Sequence, residues 1–200
     1  MMKTIIIASN NDKKILELTA LCQGLPYQFQ KQSDYNVTPI AETGLTFIEN
    51  ALIKARHASQ ATGLAALADD SGLIVDALNG APGIYSARYA GPDATDEQNN
   101  NKLLASLQNV SANERQARYV CVIVYLKYAA DPLPIICQAT WEGSILSQPK
   151  GHQGFGYDPL FWVADKNYSA AELDPDVKNQ LSHRGQALRQ LKEVLRDQIN

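Results

Sequence analysis

Two carboxylates, Asp69 and Asp70, stand side by side between the apolar runs 65–68 and 73–78. An idle charge in such surroundings is costly, so the pair must be solvated, matched by cations or holding a hard metal ion. On a strand the two side chains leave opposite faces, and only one enters a given pocket unless the chain turns at Ser71-Gly72. A polar turn at 69–72 between two short strands is the expectation. A second candidate lies at Ser9-Asn10-Asn11-Asp12-Lys13-Lys14, where turn and cap residues follow the apolar run 5–8. Backbone N–H groups, hydroxyl and amide side chains and a lysine converging at a helix start are suited to cradling a phosphate. Glu42-Thr43-Gly44 closes a loop just before another helix that carries Lys54. Glu42 alone fits a surface or capping carboxylate.

Further along, Gly151-His152-Gln153-Gly154-Phe155-Gly156-Tyr157-Asp158-Pro159 combines three glycines with two aromatic rings. Such a backbone can approach a flat ligand closely while a ring stacks on it, although tight turning alone would also account for it. Lys178 and then Ser182-His183-Arg184 supply donors able to read a base edge or a phosphate. His57 and His152 are read as structural. Neither GxxxxGK[ST] nor GxGxxG occurs, and there is no Ser-His-Asp order, zinc-ligand spacing or evident nucleophilic cysteine.

These residues need elements to hold them. A strand is expected at 3–8, an amphipathic helix at 12–23 ending at Gly24, and a strand at 26–32. Thr46-Phe47-Ile48-Glu49 reads as a capping box opening a helix that runs to Gly63, and Thr95-Asp96-Glu97-Gln98 as a second. Between them, residues 79–91 read as a long loop. Residues 117–128 and 133–141 form a hairpin, and a final helix capped by Ser182 carries Leu188, Leu191 and Leu195. Early alternation of helix and strand followed by a hairpin predicts a mixed sheet with helices around it.

Composition narrows the function classes. The 200 residues can bury a core without staples. Eighteen basic against 21 acidic side chains give a formal net charge of −3, which argues against a nucleic-acid partner that needs a basic excess and leaves room for one small anion. No apolar run is long enough for a membrane span or a signal-peptide core, so a cytoplasmic protein is expected. Cys22, Cys121 and Cys137 form no CxxC pair and are expected to be buried reduced thiols.

Taken together, Ser9-x-Asn11-x-x-Lys14, Glu42-Thr43-Gly44-x-Thr46-Phe47-x-Glu49-Asn50-Ala51, Ala68-Asp69-Asp70-Ser71-Gly72-Leu73, Phe155-Gly156-Tyr157-Asp158-Pro159 and Ser182-His183-Arg184-Gly185-Gln186-Ala187 resemble the inosine/xanthosine triphosphate pyrophosphatase family in its bacterial form. The matching blocks keep the family's order along nearly the whole chain. The resemblance implies a single domain over residues 1–200, a bilobed α/β fold with a long curved mixed sheet flanked by helices, a central substrate cleft and a homodimer. It also implies Mg²⁺-dependent hydrolysis of a non-standard purine nucleoside triphosphate (ITP, dITP or XTP) to monophosphate and pyrophosphate, a nucleotide-pool cleaning role.

By position, the resemblance gives Ser9, Asn10, Asn11, Asp12, Lys13, Lys14 and Lys54 to the triphosphate. Asp70 becomes metal ligand and general base, with Glu42 and Asp69 helping at the metal. Ser71, Phe155, Gly156, Tyr157, Asp158, Lys178, His183 and Arg184 become the base and sugar site. Two positions depart from the family pattern: Asn10 stands where glycine is frequent, and Ala41 where a carboxylate often precedes Glu42. Asn tolerates left-handed backbone well, so the elbow survives the first. Donors aimed at O6 of hypoxanthine or xanthine would meet a donor on adenine, a mismatch of about 1–3 kcal/mol per buried group. A nucleotide sensor without hydrolysis, or a related pyrophosphatase acting on other modified nucleotides, is the competing reading.

Overall fold

A computed structural model describes residues 2–9 and 12–197, and the side chains of Asp12, Lys13 and Leu21 lie outside the description. Among the described residues seven strands form one sheet: β1 (Lys3–Ile7), β2 (Tyr27–Lys31), β3 (Ala65–Val75), β4 (Gln116–Leu126), β5 (Ile135–Ile145), β6 (Phe161–Val163) and β7 (Tyr168–Ser169). Their order is β2-β1-β3-β4-β5-β6-β7. β1 pairs in parallel with both β2 and β3, whereas β6 is antiparallel to β5 and to β7. The connection 127–134 between neighbours β4 and β5 is too short for a parallel crossover, so the expected hairpin is present. The mixed sheet read from the sequence is therefore observed. Among the described residues five α-helices accompany it: α1 (Asp12–Leu21), α2 (Phe47–Thr62), α3 (Asp96–Ser106), α4 (Pro175–Leu181) and α5 (His183–Asp197). No helix among the described residues is long and apolar enough to cross a membrane.

The chain divides into two compact units. The first comprises residues 1–70, 121–139 and 186–200, the second residues 71–120 and 140–185. In the first, Ile5, Ile7 and Leu67 of the sheet share a core with Ile15 and Leu18 of α1 and with Leu188, Leu191 and Leu195 of α5. Ile6, Ala66 and Ala68 alternate to the other face, against which α2 packs with the fully buried Ala51, Ala55 and Ala58. Opposite faces for α1 and α2 follow from right-handed crossovers that run in opposite directions along the sheet, β1 to β2 through α1 and β2 back past β1 to β3 through α2. In the second unit, Leu73, Leu103, Leu107, Tyr119, Trp141, Leu160 and Phe161 form a separate core.

Local signals act as expected at the helix starts. Thr46 Oγ1 accepts the Glu49 N–H at 3.2 Å, and the Glu49 carboxylate accepts the Leu45 N–H at 2.8 Å. Thr95 and Gln98 complete a reciprocal capping box on α3. Ser182 Oγ accepts the Gly185 N–H at 3.1 Å and opens α5. All three cysteines are buried and none of them forms a disulfide, and burial pushes the Cys22 thiol up to about 11.

Two expectations are corrected, and one helix is added. Residues 69–72 do not interrupt the sheet: β3 runs unbroken from Ala65 to Val75, because each carboxylate finds a lysine on its own face and need not turn out to water. The segment 79–91 is not irregular throughout, since Gly83–Arg88 coils into a 3₁₀ helix. Before the final helix stands α4, with Asp174 Oδ1 accepting the Asp176 N–H at 2.9 Å and Pro175 in its first turn.

Candidate active site

In the first unit the charged residues converge where β1 ends. A cavity of about 260 Å³ is lined by Ala8, Ser9, Lys14, Gln32, Pro39, Ile40, Glu42, Lys54 and Asp69. Its position follows from topology, because the crevice beyond strand ends lies where crossovers leave in opposite directions. Asn10 and Asn11 lie outside the described residues, and Asp12 and Lys13 are described only as the first turn of α1.

β3 delivers its two carboxylates to different partners. Asp69, on the α1 face, receives Lys14 Nζ at 2.7 Å. Asp70, one residue on and therefore on the α2 face, receives Lys54 Nζ at 3.2 Å. Lys54 also holds Glu42 at 2.7 Å, so one ammonium joins two carboxylates contributed by a strand and a loop. Burial raises the Asp70 carboxyl above the ordinary aspartate range; Lys54 opposes this, and the nearby Glu42 charge adds to it. Burial alone would lower Lys54, yet the charges of Asp70, Asp69 and Glu42 together carry it above its ordinary value.

The loop carrying Glu42 is fixed by close approach. A Cβ on Gly44 would meet Glu49 Cβ at 2.5 Å and Asn50 Oδ1 at 2.9 Å, so only glycine lets this backbone lie on the start of α2. Asn50, fully buried, accepts the Gly44 N–H at 2.9 Å. The sequence reading gave Asn50 no role. Its signal was a polar residue beginning the apolar stripe 51, 55, 58.

In the second unit the loop 154–158 carries the base-site candidates. Asp158 is its hub: one carboxylate oxygen accepts the Phe155 N–H at 2.8 Å and pairs with Lys178 Nζ at 2.5 Å. The other faces the Tyr119 hydroxyl at 3.4 Å. Gly154 has φ +81°, and a Cβ there would collide with the Asp158 carboxylate and Lys178. Phe155 is exposed, with Lys178 Nζ 5.2 Å from its ring centre. Tyr157 is buried and its hydroxyl donates to the Ser86 carbonyl at 2.8 Å, so of the loop's two rings Phe155 is the one open to a ligand. Gly156 bonds Asp96 and Asn100 of α3; the sequence places Asp96 in a capping box and assigns neither residue to the site. The His183 ring lies parallel to Tyr119, centroids 4.7 Å apart, and Arg184 Nη2 is 3.4 Å from Ser71 Oγ.

The model of the Ham1 family matches residues 5–194. The chain belongs to the Ham1 family. A dITP/XTP pyrophosphatase from Vibrio cholerae serotype O1 is 54% identical over 197 residues, covering 98% of both chains. Another, from Escherichia coli O157:H7, is 51% identical over 196 residues, covering 98% of this chain and 100% of that one. The solved HAM1 protein from Coxiella burnetii matches with a TM-score of 0.96 at 50% identity, covering 98% of this chain and 100% of that one. The Ham1 fold and the family resemblance read from the motifs are thus both upheld.

Whether a Ham1 chain with these residues suits a hard cation can be judged from its oxygens. Asp70 Oδ2 is buried and makes no hydrogen bond of good geometry among the described residues, although the Asn50 amide lies near enough to favour its charged form, so the oxygen keeps a lone pair for a ligand. Glu42 shares Lys54 with it and offers a second carboxylate. No cluster of three or more His, Cys, Asp or Glu suited to a metal occurs among the described residues. Mg²⁺ asks for less, since it is usually held by one or two carboxylates while substrate phosphates and water complete its shell. Asp70 with Glu42 fits that requirement; Asp69 lies on the other face of β3 with Lys14.

Proposed function

We propose that this Ham1-family chain hydrolyses non-standard purine nucleoside triphosphates (ITP, dITP and XTP) to the monophosphate and pyrophosphate, and so clears them from the nucleotide pool. The observation that carries the reading is the buried Asp70 carboxylate, with one oxygen on Lys54 and the other making no hydrogen bond of good geometry among the described residues. It supports hydrolysis because a sensor that only binds nucleotide would have no use for a costly buried base. The names of the relatives support the substrate class.

In this reading Ser9, Lys14 and Lys54 meet the triphosphate, the lysines offsetting negative charge that grows on the departing pyrophosphate. Asp70 accepts a proton from water as the water oxygen bonds to the α-phosphorus and the bond from α-phosphorus to the bridging oxygen breaks. Its affinity for protons, raised by burial, favours that task. Mg²⁺, held by Asp70 and Glu42, would make the water more acidic and shield the phosphate charge. The base stacks on Phe155, and its polar edge is read by donors of the second unit, with Lys178, His183 and Arg184 as the candidates. Three buried cysteines outside any disulfide agree with a reducing, cytoplasmic compartment. A homodimer belongs to the same reading, and a 21.9 kDa species in dilute sedimentation would remove it.

The test is pyrophosphate release from ITP, XTP, GTP, ATP and UTP with Mg²⁺. ITP and XTP are expected to exceed ATP by at least about 10-fold in kcat/KM, as one mispaired buried donor requires. Equal values for all five would refute purine selectivity, and binding without release would favour the sensor.

A further inference from the structure

Within the second unit, α3 grips the loop 154–158 at a single residue. Asp96, the first residue of the helix, accepts the Gly156 N–H at 2.6 Å. Asn100, about one turn on, donates its Nδ2 to the Gly156 carbonyl at 2.9 Å. Residues four apart share a helix face, so the two bonds act from one side as a clamp on both backbone groups of one glycine.

The clamp sits where the loop most needs it. Gly156 has φ +61°, and a Cβ there would meet nothing within 4 Å, so its backbone has freedom that its surroundings do not remove by crowding. Its neighbour Phe155 is 58% exposed and projects a ring with little packing of its own. Asp158, two residues on, is held by Lys178 and Tyr119. Fixing Gly156 therefore sets the direction of Phe155 relative to Asp158.

The helix that supplies the clamp is itself pinned. Asn99 accepts the Ala90 N–H at 2.8 Å and donates to the Ala87 carbonyl at 3.2 Å. Asn100 is buried, and its Oδ1 has no hydrogen-bond partner among the described residues. An apolar residue would avoid that cost, so the value of the amide lies in the bond from its Nδ2.

We propose that Asp96 and Asn100 are positioning residues for base selectivity: by holding Gly156 at both its N–H and its carbonyl they set the stacking ring of Phe155 against Asp158 and the Lys178 donor that Asp158 holds, the arrangement that distinguishes a 6-oxo purine from adenine. The inference rests on the substrate class proposed above.

Its test compares wild type with Asn100→Asp, Asp96→Ala and Asp96→Asn. The first puts an acceptor against the Gly156 carbonyl, the second removes the acceptor from its N–H, and the third keeps an acceptor of the same shape. In Asn100→Asp and Asp96→Ala the ratio of kcat/KM for ITP over ATP is expected to fall roughly 10-fold or more, the scale on which small misplacements act. The loss falls mainly on KM for ITP, and Asp96→Asn recovers most of the ratio. An unchanged ratio, or a drop in kcat shared equally by both nucleotides and matching a lowered folded fraction, would overturn the proposal. Affinities for IMP and AMP, measured in parallel, read the clamp without turnover. A wild type that prefers IMP but releases no pyrophosphate would sink the hydrolytic reading alone, whereas equal IMP and AMP affinities in wild type would sink the clamp.

Discussion

The charged cluster of the first unit and the loop of the second are built in opposite ways. Asp69, Asp70, Lys14 and Lys54 all project from regular elements, where backbone hydrogen bonding fixes the side-chain origins. Phe155, Gly156 and Asp158 lie on a loop with two positive-φ glycines, and their positions depend on polar contacts from α3 and Lys178. A cluster that moves protons and neutralises phosphate tolerates little error, and strand and helix geometry provides the needed stiffness. Recognition of a flat base needs the backbone to come close, which a glycine loop permits and a strand does not.

The contrast can be broken most severely at Lys54. Replacing it with Met leaves Glu42 and Asp70 facing one another without their shared ammonium. A loss of about 3 kcal/mol in folding stability is expected, the scale of a broken buried pair, together with near-complete loss of pyrophosphate release. Mg²⁺ should restore part of the melting temperature by taking the place of the ammonium, which thermal scans with and without the ion would measure. No effect of the ion would remove Asp70 and Glu42 as its holders.

Phe155→Ala sharpens the other side of the comparison. The ring is exposed, so the melting temperature should not move, while KM for ITP rises roughly 10-fold, in line with about 1–3 kcal/mol for one stacked base. Steady-state kinetics on ITP decide it, and a fall in kcat at constant KM would place the ring's role elsewhere.

The smallest effect is a pH dependence of stability. The folded state raises the Asp70 carboxyl above its unfolded value, chiefly by burial. Its favourable contribution is therefore complete below the ordinary aspartate range and is lost as pH rises through the folded value. Metal-free Asp70→Asn, which mimics the protonated acid, should melt higher than wild type at neutral pH, with the gap closing as the medium is acidified. Melting curves at several pH values would show it, and a variant less stable than wild type at neutral pH would contradict the assigned cause.

Much of this division was legible in the sequence, and the losses have physical causes. Capping signals at Thr46, Thr95 and Ser182 were read correctly because a cap is a contact between residues three apart. Asp69 and Asp70 were read as a break because their partners are remote: Lys14 lies 55 positions away and Lys54 16. Without those ammonium groups two adjacent carboxylates in a strand look untenable. Asn50 and Asn100 were passed over for a related reason. A single amide inside a helix carries no periodic signal, and its importance comes from a loop brought to it by the fold. Helix α4 is seven residues long, below the length at which apolar spacing declares itself, although Asp174-Pro175 offered a start signal.

The most direct measurement is on Asp70→Asn, with pyrophosphate release from ITP and equilibrium affinity for ITP determined on the same preparation. Release is expected to fall at least about 100-fold, as loss of a general base demands, while affinity stays within a few-fold of wild type. Release at the wild-type rate would contradict the assignment of Asp70 as the group that takes the water's proton.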